Sequence, residues 1–134
     1  MRYMLDTNIC IYLIKQQPQE VIDKFQGIAP GEIAISSVTV AEMMYGVAKS
    51  QHKEKNKSAL ESFLAPLEIV DFDFKAAQRY RTVRAYLEKM GIPTGAYDLM
   101  IAAHALSLDL VLVTNNEREF QRISDLIIET WVNQ

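Results

Sequence analysis

The first twelve residues, MRYMLDTNICIY (1–12), set the reading of the whole chain. Tyr3, Met4 and Leu5 form a short apolar run that breaks into Asp6, Thr7 and Asn8 before Ile9 restores the apolar character. A run of three apolar residues is too short for a helix face and suits a strand. Further β-rich runs lie at 33–36, 69–72, 110–113 and 127–131. The residues between the first four have helical period. Pro18 stands at a plausible first helical position. Stripes then follow at Val40/Met44/Val47, at Leu60/Phe63/Leu64 and at Ala76/Tyr80/Val83/Leu87/Met90, the last stopped by Gly91 and Pro93. Strands alternating with helices imply right-handed crossovers, hence an α/β fold with a mainly parallel sheet covered on both faces. The "LVLV" run, apolar at every position, reads as a strand buried on both sides.

With 134 residues, the chain suits a single domain over 1–134. Hydrophobic residues at 49% and charged residues at 23% are ordinary for a globular protein. No basic segment leads into an apolar one at the N-terminus, and "LMIAAHALSL" is about half the length needed to span a bilayer, so no membrane association is expected. Cys10 is the only cysteine; an internal disulfide is impossible and a cytoplasmic address is expected. Fourteen basic against seventeen acidic residues give a net charge of −3, so basic groups for any nucleic acid must be gathered locally.

In open α/β sheets ligands bind beyond the carboxyl ends of the strands, which is where Asp6 falls. Other acids hold comparable places. Glu42 lies early in the helix after the second strand, Asp98 opens a helix over 97–108 that is apolar around nearly its whole circumference, and Glu119 follows "LVLVTNN". Four carboxylates meeting at one rim would raise one another's pKa values, a conflict that a divalent cation removes. Hard Mg²⁺, or Mn²⁺, suits an all-oxygen set. Each acid also has a structural reading. "TVAE" is a capping box for Thr39 with Glu42, "NERE" permits one for Asn116 with Glu119, and "SALE" at Ser58 matches as well. The Val40/Met44/Val47 stripe sets Glu42 on the solvent side. Asp98 suits a helix N-terminus, and Asp6 suits a cap on the helix that follows.

Other chemistries are poorly supported. His52 and His104 lack zinc-ligand spacing, and His104 on the apolar helix reads as a hydrogen-bonded core residue. Cys10 has no evident base beside it, and no G-x-S-x-G, P-loop or G-x-G-x-x-G occurs. Haloacid-dehalogenase-like phosphatases need a second Asp where Asn8 stands. Receiver domains need a Lys after a late strand, where this chain has Thr114 and two asparagines.

Taken together and in order, "MLDTN", "ISSVTVAEMMYG", "YDLMIAAHAL" and "LVTNNEREFQRI" resemble the PIN-domain ribonucleases, and within them the VapC toxins of bacterial toxin–antitoxin pairs. The resemblance covers essentially the whole chain. It implies a three-layer α/β/α sandwich and a Mg²⁺-dependent endoribonuclease (Mn²⁺ as substitute) that leaves 5′-phosphate and 3′-hydroxyl ends. Carried over, its acids are Asp6, Glu42, Asp98 and Glu119, with Asp6, Asp98 and Glu42 on the metal and Asn8, Thr114 and Asn116 supporting them. Many relatives place an Asp where Asn116 stands, which makes one metal the expectation here. The resemblance also implies structured RNA as substrate, tRNA and specifically the anticodon loop of initiator tRNA, a VapB-type antitoxin as partner, and a homodimer. Candidate RNA contacts are Arg118 and Arg122 beside Glu119, Lys49, Lys53, Lys55 and Lys57 in a helix–helix connection, and Lys75, Arg79, Arg81 and Arg84 along one helix. The competing reading is a non-catalytic PIN-like module that binds RNA or protein, with the acids serving as caps.

Overall fold

The computed structural model describes residues 1–92 and 94–132. In chain order the elements are β1 (Tyr3–Leu5), α1 (Thr7–Lys15), α2 (Gln19–Gln26), β2 (Ile33–Ser36), α3 (Ser37–Ala48), α4 (Lys53–Leu64), β3 (Glu68–Val70), α5 (Phe74–Lys89), α6 (Ala96–Ser107), β4 (Val111–Val113), α7 (Glu117–Phe120) and β5 (Ile128–Glu129). The strands form one sheet in the order β3-β2-β1-β4-β5, with every neighbouring pair parallel. Tyr3 stands opposite Ile33 on one side and Val111 on the other. From β1 the chain winds outward through β2 to β3, then returns to place β4 against the free side of β1. Strand order therefore reverses beside β1, which makes the carboxyl end of β1 the crevice where such sheets bind ligands.

Alternation along each strand sends neighbouring side chains to opposite faces. Tyr3, Leu5, Ile33, Ile35 and Val113 pack against α1 to α4. Met4, Ala34 and Leu112 pack against α5, α6 and α7. The result is the α/β/α sandwich with two cores. α6 is the buried helix foreseen from its composition, with Ile101, Ala102, Ala103 and Ala105 fully inaccessible. Among the described residues no helix is long and apolar enough to cross a membrane.

Several boundaries differ from the sequence reading. β3 spans 68–70 rather than 69–72, and because it is an edge strand Ile69 remains 46% exposed. β5 is only two residues long, although Trp131 beyond it is buried edge-on against Tyr3 at 6.1 Å. Pro18 is the cap residue before α2, not its first residue. Lys53, Lys55 and Lys57 lie within α4, not in a connection, and Ser58 lies inside the same helix and caps nothing. α5 ends as foreseen at Gly91, whose φ of +71° lets the chain reverse while Ile92 N–H reaches back to Leu87 O at 2.9 Å. Pro93, the second expected stop, lies outside the described residues.

Candidate active site

Asp6 ends β1 and caps α1, accepting the Ile9 N–H on Oδ1 at 2.9 Å. The cap reading of Asp6 is therefore met. Asp6 is 4% exposed, and burial raises its pKa against the opposing pull of bonds from the Thr114 hydroxyl and the Ile9 and Asn8 N–H groups. Thr114, fully buried at the end of β4, also accepts the Asn116 N–H at 3.0 Å. The first strand and the fourth thus share the Asp6–Thr114 contact at their carboxyl ends. Asn8 is exposed, and its main-chain N–H bonds to Asp6.

Glu42 is not solvated in the way the proposed stripe requires. Ser36 caps α3 by accepting the Val38 N–H at 3.1 Å, so the helix starts three residues ahead of the "TVAE" box and Thr39 is buried inside it. Met43, at 6% exposure, packs in the core with Val40, while Met44 is 59% exposed. Moving the apolar contact by one residue rotates the buried face by about 100°. Glu42 then comes to the rim, where its Oε1 accepts the Thr7 hydroxyl at 2.7 Å. Thr7 was not among the residues singled out from sequence. Its only signal is its place directly after Asp6.

Asp98 occupies the first turn of α6, half-buried, and its pKa is pushed up to about 6. Burial is the largest cause, followed by the charges of Glu119, Asp6 and Glu42. The other three acids are therefore within electrostatic reach of Asp98, and Glu42 is within reach of Asp6. Glu119 is also a clasp: its Oε2 accepts the Asn116 amide at 2.7 Å and its Oε1 the Gly95 N–H at 3.4 Å, joining α7 to the start of α6. Asn116 is the cap residue of α7 but makes no side-chain cap bond, so the box with Glu119 is replaced by this side-chain pair. Asn115, next to it, donates to the Tyr12 hydroxyl at 2.7 Å and pins the loop to α1.

The donors at this rim are all oxygen, and at neutral pH they bring an excess of negative charge to a half-buried place. That chemistry fits a hard divalent ion and gives no footing to a thiolate or imidazole site. Among the described residues no three acidic, histidine or cysteine side chains form a finished cage. Glu42 is held by Thr7 and Glu119 by Asn116. From the Thr7–Glu42 pair a groove of about 260 Å³ runs between α1, α3 and α4, past Ile11, Ile14 and Met43 to Leu60.

The remaining candidates lie elsewhere. Cys10 is fully buried, and burial raises its thiol well above its ordinary range, so it is no nucleophile. Arg118 and Arg122 are exposed in and just after α7, near Glu119 in sequence. Lys49 and Lys53 are exposed around the α3–α4 connection, with Lys49 over the Tyr45 ring at 5.0 Å. Arg84 is engaged on α5 by Glu88 at 2.9 Å and by the Tyr80 hydroxyl at 2.6 Å.

A parallel five-stranded sandwich with acids gathered where its strand order reverses is the architecture of a PIN domain. The PIN domain family model matches residues 3–126, and the chain belongs to that family. Within the family it is similar to the VapC ribonucleases. It is 48% identical over 132 residues to ribonuclease VapC2 of Rickettsia felis, with 98% of each chain covered. It is 44% identical over 131 residues to the tRNA(fMet)-specific endonuclease VapC of Shigella flexneri, again with 98% of each covered. Among solved structures, DNA-bound VapBC from Salmonella typhimurium superposes with a TM-score of 0.94 at 44% identity, covering 98% of this chain and 99% of that one. VapBC2 from Rickettsia felis bound to a promoter DNA fragment gives 0.92 at 46% identity, with 98% and 100% covered.

Proposed function

We propose that the chain is a Mg²⁺-dependent endoribonuclease, the toxin of a VapBC-type pair, with Asp6, Glu42, Asp98 and Glu119 as its acid set. The observation that carries this reading is the convergence of Asp6, Glu42 and Glu119 on Asp98 at the first turn of α6, where the strand order reverses. Structural caps scattered over a surface do not converge in this way. Asp6 and Asp98 would hold the ion, with Glu42 completing the set, and Mn²⁺ would be an acceptable substitute. Bound there, such an ion would supply positive charge against a scissile phosphate and a more acidic water. The chain's own contribution is alignment. The Ile9 N–H fixes one Asp6 oxygen, the Thr7 hydroxyl fixes one Glu42 oxygen, and Asn116 with the Gly95 N–H fixes Glu119.

The substrate is structured RNA, with initiator tRNA as the specific target, a reading supported by the name of the Shigella flexneri relative. Arg118, Arg122, Lys49 and Lys53 are exposed and free to meet phosphates, with Arg84 a weaker contributor because Glu88 occupies it. The partner is a VapB-type antitoxin, as in the solved VapBC assemblies, and the toxin is a homodimer. The test is cleavage of total RNA that EDTA stops and Mg²⁺ or Mn²⁺ restores, with sequencing of the fragment ends. Cleavage at one tRNA position with 5′-phosphate ends, lost in Asp98→Asn, is the expected result. Absence of cleavage of any RNA with either ion favours the non-catalytic binding module.

A further inference from the structure

The helices bearing Glu42 and Asp98 are joined behind the rim by a buried polar contact. His104 Nδ1 lies 2.8 Å from Ser36 Oγ. The two residues are 1% and 0% exposed. Ser36 is the cap of α3, its Oγ accepting the Val38 N–H. Its hydroxyl proton is then available to the Nδ1 lone pair of a neutral imidazole, and burial lowers the His104 pKa and so keeps the ring neutral. The ring packs edge-on to Phe72 at 5.5 Å, and the Phe72 N–H donates to Ser37 Oγ at 2.9 Å. α6, the start of α3 and the turn before α5 therefore meet around one imidazole, within reach of the Asp71 main chain and the charges of Asp71 and Asp73.

This contact has a regular relation to the acids. Glu42 lies six residues after Ser36 on α3, and Asp98 lies six residues before His104 on α6. Each acid is thus about 9 Å along its helix from the same joint. We propose that His104 is a positioning residue: through Ser36 it sets the separation of Glu42 and Asp98. The inference rests on reading those two acids as members of the ion-holding set with Asp6. An apolar side chain would fill this space without burying polar atoms, so packing alone does not account for an imidazole bonded to Ser36 here. A directional bond fixes the relative slide of two helices more tightly than apolar contact does.

The test compares wild type, His104→Leu and His104→Asn, since an Asn amide can occupy the Nδ1 position and leucine cannot. Crystal structures report the Glu42–Asp98 separation whether or not those acids hold an ion. The expected result is a change of about 0.5–1 Å in H104L and none in H104N, a displacement large enough to disturb catalytic geometry. Mn²⁺ binding followed by electron paramagnetic resonance should weaken about 10-fold or more in H104L, the scale for loss of an outer support, and recover in H104N. RNA cleavage should lose kcat in H104L with KM unchanged. If H104L does not fold, Ser36→Ala breaks the same joint from the other side and is expected to give the same shift. An unchanged separation in H104L or S36A overturns the positioning role, as does an H104N no better than H104L. A shifted separation with normal Mn²⁺ binding leaves the joint standing and counts instead against Glu42 and Asp98 both belonging to the ion-holding set.

Discussion

The Thr7 hydroxyl donates to Glu42 Oε1 at 2.7 Å, tying the helix that Asp6 caps to the helix that carries the second acid. Thr7→Val keeps the shape and removes the donor. Outer-sphere hydrogen bonds of this kind are worth about 10- to 100-fold in metal affinity or activity. T7V is expected to lose cleavage on that scale with little change in thermal midpoint, while Thr7→Ser retains most of it. Parallel kinetics and melting curves check the split; a T7V variant as active as wild type removes Thr7 from the site.

Asp98 gives the metal-free protein a pH dependence. A carboxyl whose pKa rises from 3.8 to about 6 on folding holds its proton more firmly in the native state than in the unfolded chain. Stability from this group is therefore greatest below the lower value and is lost as pH climbs through the window between them. Asn cannot ionise, so D98N is expected to flatten that loss and to melt higher than wild type near neutral pH in EDTA. Asp6, raised by burial, keeps a residual slope of the same sign. Adding Mn²⁺ should reverse the order, stabilising wild type and not D98N, as expected when an ion binds only the native state. Thermal melts from pH 4 to 8, with and without the ion, decide it.

The Asn115–Tyr12 bond at 2.7 Å anchors the loop that supplies Thr114 and Glu119. Tyr12→Phe removes the acceptor for a cost of about 1 kcal/mol, typical of one hydrogen bond. The expected signature is a small drop in thermal midpoint with a larger proportional fall in cleavage. Equal retention of both would show that the loop is held by its other contacts.

Why these features were or were not legible follows from what each depends on. The strand runs and the apolar circumference of α6 are local patterns, and they fixed the layer order and put Asp6 and Asp98 at strand and helix ends. The Glu42 environment was misread because Met43 and Met44 are chemically identical. Only the true start of α3 at Ser37 decides which one enters the core. Thr7 with Glu42 and Ser36 with His104 join residues far apart in sequence, and nothing local announces them. The short α7 box was misassigned because the Asn116 side chain prefers the nearby carboxylate to a free N–H.

The edge of the sheet offers a contrast in stability. Leu112, fully buried in β4, is expected to lose about 2–5 kcal/mol on change to Ala. Ile69, in the edge strand β3 and 46% exposed, should lose far less, near the ±0.5 kcal/mol of surface changes. Chemical denaturation of both variants tests the assignment; equal losses would mean β3 is covered in solution.

The pairing of β1 with β4 brings Tyr3 against Val111. During synthesis the ribosome releases Asp6 long before Thr114 and Glu119 exist to meet it, so a nascent polypeptide cannot assemble the four-acid field. Any site that needs Asp6 beside Thr114 stays unassembled until β4 has been made and has paired with β1.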